Sequence, residues 1–257
     1  MILFSLVKEL WIYGINMDSM KVKLLESTNN AVNVIYSACR QCYSVRFAAD
    51  IFRDKKISKQ AKSLFIRKIV SSGHESPLEH AEFTFAVAGV SRALTHQLVR
   101  HRIASYSQQS QRYVKNEDFA YIIPPVFKSD AGLREEYESC MKTISGCYGR
   151  LIRILERKGV KGESANQDAR FILPQGAETK IVITMNCREL IHFFKQRCCA
   201  RAQWEIRQLA WNMLKICAKK MPEIFSGAGP KCKTLGYCPE GKDFSCGMYP
   251  VKRNFDR

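Results

Sequence analysis

The stretch AEFTFAVAG, residues 81–89, decides the fold class. Phe83, Phe85 and Val87 alternate with Glu82, Thr84 and Ala86, and that period of two predicts a β-strand. From Ser91 the apolar residues Ala93, Leu94 and Leu98 take helical spacing, so the strand runs almost directly into a helix. The helix is expected to end in the cations RHR, residues 100–102, which complement its dipole, with a polar loop from about Ser105.

The segments on either side follow the same mixed pattern. Upstream, KVKLLES (21–27) reads as a strand and NAVNVIYSACRQCY (30–43) as an amphipathic helix. SKQAKSLFIRKIVSSG (58–73) is a second helix, with Ser58 as its cap and Gly73 as its stop, and HESPLEH (74–80) is turn-like. Downstream, a long helix is expected from Leu133 to Lys158, stopped by Gly159, then a shorter one, SANQDARFIL (164–173), running into Pro174. TKIVITM (179–185) is a strand, and residues 186–221 read as one long helix opened by Asn186 and Glu189 as a capping pair. There is no regular βαβ repeat, no G-x-G-x-x-G after a strand and no G-x-x-x-x-G-K-[ST]. The expected fold is α+β: a central antiparallel-type sheet flanked by long helices, without a Rossmann or P-loop unit. Residues 20–229 are expected to form a single catalytic domain, with 1–19 an N-terminal extension of uncertain status and 230–257 a cysteine-containing tail.

The chain has 257 residues, 46% of them hydrophobic, enough for a substantial core. A formal net charge of +17 points to anionic partners. MILFSLVKELWIYGI at the start is apolar but broken by Lys8 and Glu9, so no membrane association is expected. Eleven cysteines spread through helical segments, with no secretory signal, point to free thiols in the cytoplasm.

RHRIASYSQQSQRY, residues 100–113, sets cations beside a run of amides and hydroxyls. On a continuing helix, Gln97, Arg100 and His101 would share one face and present an amide, a guanidinium fork and an imidazole together. A solvated basic helix end is the plainer reading of RHR alone. The pattern RHR, seven residues, Ser, one residue, Arg resembles the signature of the flavin-dependent thymidylate synthases, carried here by Arg100, His101, Arg102, Ser110 and Arg112. HESPLEHAEFTF (74–85) and NCRELIHFFKQRCCARAQWEIRQLA (186–210) resemble two further segments of that family, in the family's order.

The resemblance implies reductive methylation of dUMP to dTMP, with methylenetetrahydrofolate as carbon donor, FAD as hydride carrier and NADPH as reductant. It implies a homotetramer with sites at subunit interfaces. Carried over by position, dUMP would be held by Gln97, Arg100, Gln108, Gln109, Ser110, Arg112, Arg170 and Arg197. FAD would be held by His74, Ser76, Arg100, His101, Arg102, Gln108, Asn186, Arg188 and His192. Independently of the family, Arg188 and His192 lie one helical turn apart. Asn186 could instead simply cap its helix. Arg197 is the candidate for stabilising charge on the pyrimidine. Ser110 is a poor nucleophile, because the cations around it are poor bases.

Several positions depart from the family pattern. Ser107 and Gln108 stand where Asn-Glu is common, Arg201 replaces a frequent His and adds a cation near the cleft, and His192 stands where many relatives have Asn. His80 is expected to brace the start of its strand. Cys232, Cys238 and Cys246 are clustered in the tail, but three thiolates leave a tetrahedral site one ligand short, so no metal is expected. CRQC (39–42) reads as buried thiols before a redox pair, Cys198 and Cys199 as packing residues, and WEIRQLAWNMLKI as core. The rival reading is a basic RNA- or DNA-binding module, suggested by the charge and by Tyr106, Tyr113 and Tyr121.

Overall fold

The computed structural model describes residues 20–252, so the expected extension at 1–19 lies outside the described residues. Strand β1 (Lys21–Ser27) leads into helices α1 (Ala31–Gln41), α2 (Ala48–Arg53) and α3 (Lys59–Ser71). A 3-10 turn (Ser76–His80) then precedes β2 (Glu82–Ser91), α4 (Arg92–Leu98) and β3 (Ala104–Gln108). Next come α5 (Pro125–Ser129), α6 (Ala131–Arg157), α7 (Glu163–Ala169) and a 3-10 turn at Arg170–Ile172. The described chain closes with β4 (Glu178–Asn186), α8 (Cys187–Arg197), α9 (Trp204–Lys220), α10 (Pro222–Phe225) and α11 (Lys231–Leu235). The four strands form one antiparallel sheet in the order β1-β2-β4-β3. The α+β expectation is met.

The local reasons are the expected ones. In β2, Phe83, Phe85 and Val87 are buried while Glu82 is exposed, as the alternation requires. The Ser58 hydroxyl accepts from Ala61 N at 3.2 Å to open α3, and Gly73 at φ 90° supplies the left-handed residue beyond its end.

Three expectations are corrected. The loop after RHR begins as a strand, because Ala104, Tyr106 and Gln108 are half-buried between exposed Ser105 and Ser107. The alternation is carried by polar side chains, as suits a sheet edge. The long helix from 186 is two helices, since α8 stops at Arg197 and Gln203 caps α9 by accepting from Glu205 N and Ile206 N at 3.0 and 3.2 Å. His80 is exposed, and Thr28 braces the strand instead, its Oγ1 accepting from Glu82 N at 2.9 Å.

The described chain forms two compact units. One contains Ala86–Arg100 and Tyr106–Val182; the other contains Val22–Phe85, His101–Ser105 and residues 183–252. In the first, Tyr148 and Ile152 of α6 pack with Ala165 and Ala169 of α7. In the second, Phe225 meets Phe83 and Phe194 at ring distances of 5.6 and 6.0 Å, and Phe194 meets Phe193 at 5.9 Å. Phe193 is thereby locked into an aromatic core, which fixes the rotation of α8 about its axis.

Candidate active site

In the second unit α8 begins at a satisfied cap: Asn186 Oδ1 accepts from Glu189 N at 2.9 Å. The Glu189 side chain does not complete the capping pair expected of it. Its Oε1 lies 3.0 Å from Nδ1 of His101, which is only 5% exposed. At the other end of α8, Arg197 Nε donates to His101 Nε2 at 3.1 Å. A guanidinium nitrogen has only a proton to offer, so Nε2 presents its lone pair and the imidazole proton sits on Nδ1, facing Glu189. His101 is therefore the neutral Nδ1–H tautomer, bridging a carboxylate and a guanidinium.

Burial first, with the neighbouring Arg197 and His192 acting in the same direction, lowers the His101 pKa from 6.5 to about 4. Burial raises the Glu189 carboxyl, with His192 opposing, and lowers Arg197, whose guanidinium still stays charged at neutral pH. The sign of the linkage is fixed. Between pH 6.5 and about 4 the unfolded chain protonates His101 and the folded chain does not, so stability present above 6.5 is lost as pH falls. The loss is expected to reach about 3 kcal/mol at the acid end. Glu189 acts in the opposite sense, so the measurement is the difference in denaturation midpoint between wild type and His101→Gln across this window. The variant should have the flatter profile.

His101, Glu189 and His192 also place one ligand atom each within 4.8 Å of the others. In this arrangement Arg197 occupies the one lone pair of the His101 ring and adds a cation beside it, both of which disfavour a metal ion.

A cleft of about 300 Å3 opens beside this cluster, lined by Glu75, Glu79, Ile103, Asn186, Arg188, Glu189, His192 and Lys195. Arg188 and His192 line it together, as their spacing requires. Glu79 pairs with Arg188, and Glu75 lies 3.4 Å from Lys195, while His192 Nε2 is 2.9 Å from the Gln196 amide. The carboxylates come from the turn before β2, where Pro77 and Leu78 are buried and pin the 3-10 conformation. His74, Ser76 and Arg102 are exposed in the same unit and do not line the cleft. Arg201 is not a cleft cation, since it pairs with Glu240 at 2.6 Å and lies 4.3 Å from the Phe244 ring centroid.

The remaining candidates lie in the first unit. Helix α4 ends at Leu98, with Arg100 N closing a tighter turn onto Gln97 O, so the expected shared helical face of Gln97, Arg100 and His101 does not exist. Gln97 is half-buried and Arg100 exposed. Gln108 donates its amide to Thr95 Oγ1 at 3.0 Å and to Thr179 Oγ1 at 3.2 Å, which leaves its oxygen for a ligand. Gln109 N donates to Lys180 O, extending the β3 edge. Ser110 Oγ accepts from Arg112 N at 3.1 Å, which shapes the turn. Arg112 pairs with Glu163, and its carbonyl accepts from Asn166 at 3.1 Å.

Two candidate residues escaped the sequence reading. Glu189 was read only as a capping partner. Arg92 lies close enough to Arg170 that, after burial, that second cation further lowers its pKa. A signal for Arg92 was available: a cation in the first turn of a helix opposes the dipole and calls for an anion.

Residues 23–223 match the family model described as thymidylate synthase complementing protein. The chain belongs to the flavin-dependent thymidylate synthase family. It is 51% identical over 237 residues to the flavin-dependent thymidylate synthase of Nitratidesulfovibrio vulgaris, covering 91% of this chain and 97% of that one. The namesake from Clostridium tetani is 48% identical over 236 residues, 89% of this chain and 93% of the relative. That from Pyrococcus horikoshii is 45% identical over 229 residues, 86% and 90% respectively. The family match takes in the RHR, HESP and NCREL segments together, and it lends no support to the nucleic-acid-binding reading.

Proposed function

We propose that the chain methylates dUMP reductively to dTMP as a flavin-dependent thymidylate synthase, with FAD held mainly by residues of the second unit and the dUMP phosphate by residues of the first. Methylenetetrahydrofolate is the carbon donor. Bound FAD, reduced by NADPH, supplies the hydride. The observation that carries the reading is a neutral His101 held by Glu189 and aiming Arg197, within the family's own motif segments.

The cleft fits part of a large anionic cofactor in its donor set: Arg188 and Lys195 as cations, with Asn186 and His192 as neutral partners. Glu79 and Glu75 already neutralise those cations, but the Arg188–Glu79 pair is exposed, and such pairs are worth only about 0–1 kcal/mol, while the Lys195–Glu75 pair is half-buried and long at 3.4 Å. A polyanion displaces them at little cost. His74, Ser76, Arg100, Arg102 and the Gln108 oxygen are assigned to other parts of FAD. His101, with both nitrogens engaged, orients Arg197. Arg197 has no partner for its terminal nitrogens among the described residues, and it is assigned to the pyrimidine, where it stabilises developing negative charge.

Arg170, with Arg92 beside it, is assigned to the dUMP phosphate, joined by Gln97, Arg100, Gln109, Ser110 and Arg112. The charge of Arg170 adds to burial in lowering the Arg92 pKa, a repulsion that a bound dianion would relieve. Arg92→Ala and Arg170→Ala should each raise the KM for dUMP about 10- to 100-fold, by loss of a charge-assisted contact, with a smaller change in kcat. Steady-state kinetics with varied dUMP checks this.

The overall test is tritium release from dUMP labelled at C5, in the presence of FAD, NADPH and methylenetetrahydrofolate. Ser110→Ala should retain release, because the Ser110 hydroxyl accepts backbone N–H groups and meets no carboxylate or imidazole among the described residues. Total loss in a variant that still binds both ligands would restore the nucleophile. We assign the assembly as a homotetramer, in keeping with the exposed Val45, Phe47, Ile103 and Phe171, and the setting as the cytoplasm.

A further inference from the structure

The tail cysteines lack a fourth ligand in sequence, and the fold supplies one. Cys232 sits on α11 and is buried; Cys238 is buried as well, and Cys246 is exposed. Cys238 N donates to Pro250 O at 2.7 Å, and Cys238 bridges to Val251, which closes residues 238–251 into a loop containing Cys246. That loop is fastened to the segment between α8 and α9 by Arg201, which bonds Glu240 at 2.6 Å and lies over Phe244 at 4.3 Å. Two residues before Arg201 stands Cys199, half-buried. Burial raises the Cys232 thiol, and the charges of Cys199, Cys238 and Cys246 each raise it further.

We propose that Cys199, Cys232, Cys238 and Cys246 form a tetrathiolate site for a soft divalent cation of the zinc class, distinct from the flavin and nucleotide sites. Four sulfur donors from two separate chain segments, one of them a closed loop, suit the tetrahedral demand of zinc. Gly241 at φ 80° and Gly247 at φ 79°, three residues after Cys238 and one after Cys246, give the loop its left-handed turns. Four thiols binding one dication release four protons and leave the site with a charge of about −2. The lysines 231, 233 and 242 and Arg201 in the same segments offset it. No three of the sulfurs lie within 4.8 Å of one another, so binding requires the 238–251 loop to close onto the cation.

The test uses the full chain purified under reductant without chelator. Metal analysis should find about one zinc per chain. After stripping, titration with Co2+ should develop a thiolate-to-cobalt charge-transfer band and the visible bands of tetrahedral cobalt. Cys199→Ser and Cys246→Ser should each lower zinc occupancy at least about tenfold at limiting metal, and Cys140→Ser, an exposed cysteine on α6, should leave it unchanged. Zinc should also slow proteolysis within residues 238–251. Wild-type chain with neither zinc nor a cobalt band overturns the proposal. So does Cys199→Ser holding metal as wild type does, or a disulfide between two of the four in chain whose thiols were trapped at lysis.

Discussion

Arg197→Ala is expected to lower the rate of tritium release by about 10^2- to 10^3-fold at saturating dUMP, the scale set by removing one preorganised charge from a reacting centre. FAD binding, followed by flavin absorbance after gel filtration, should change much less. Arg197→Lys is the sharper variant. It keeps the charge but loses the Nε–H that meets His101 at 3.1 Å, and an ammonium on a flexible stem has no fork to aim. It should recover only a small part of the lost rate. A lysine variant near wild-type activity would mean that charge alone suffices and that the contact with His101 does not position the group.

Glu189→Ala is expected to act on both stability and rate. Removing the carboxylate leaves the His101 Nδ1–H buried without its acceptor, a loss of about 1–3 kcal/mol, with a further cost for the space vacated. The imidazole is then free to exchange tautomers. A proton on Nε2 would face Arg197 donor to donor and push the guanidinium away. The rate should therefore fall at least about tenfold beyond what the stability loss explains, measured at a temperature where the variant is folded. In the double variant with Arg197→Ala the effects on rate should be far from additive, because Glu189 acts through Arg197. Additive losses would detach Glu189 from the reaction and leave it a purely structural residue.

Both predictions rest on contacts of unequal legibility in sequence. The period of two in residues 82–87 and the helical spacing after Ser91 were plain, because apolar side chains mark the buried face directly. The β3 edge was hidden, since its alternating positions are filled by Ala, Tyr and Gln against Ser, and half-exposed strands need no apolar face. The break after Arg197 was hidden too. Nothing in QRCCARAQWE forbids a helix, and only the Gln203 cap restarts the chain as a separate one. Of the site, RHR was legible as a charge cluster, but its three residues part company. Arg100 and Arg102 stay exposed, while His101 turns inward to a carboxylate 88 positions along the chain. Long-range pairing of that kind leaves no local trace, which is why Glu189 passed as a helix cap.

The six residues linking α8 to α9 bind two duties together. Arg197 at the near end leans on His101, and Arg201, four positions on, is moored to Glu240 and Phe244. A nonsense mutation or protease cut just before Glu240 would therefore not trim an idle appendage. It would slacken the strap that runs straight back to the guanidinium proposed to steady charge on the pyrimidine.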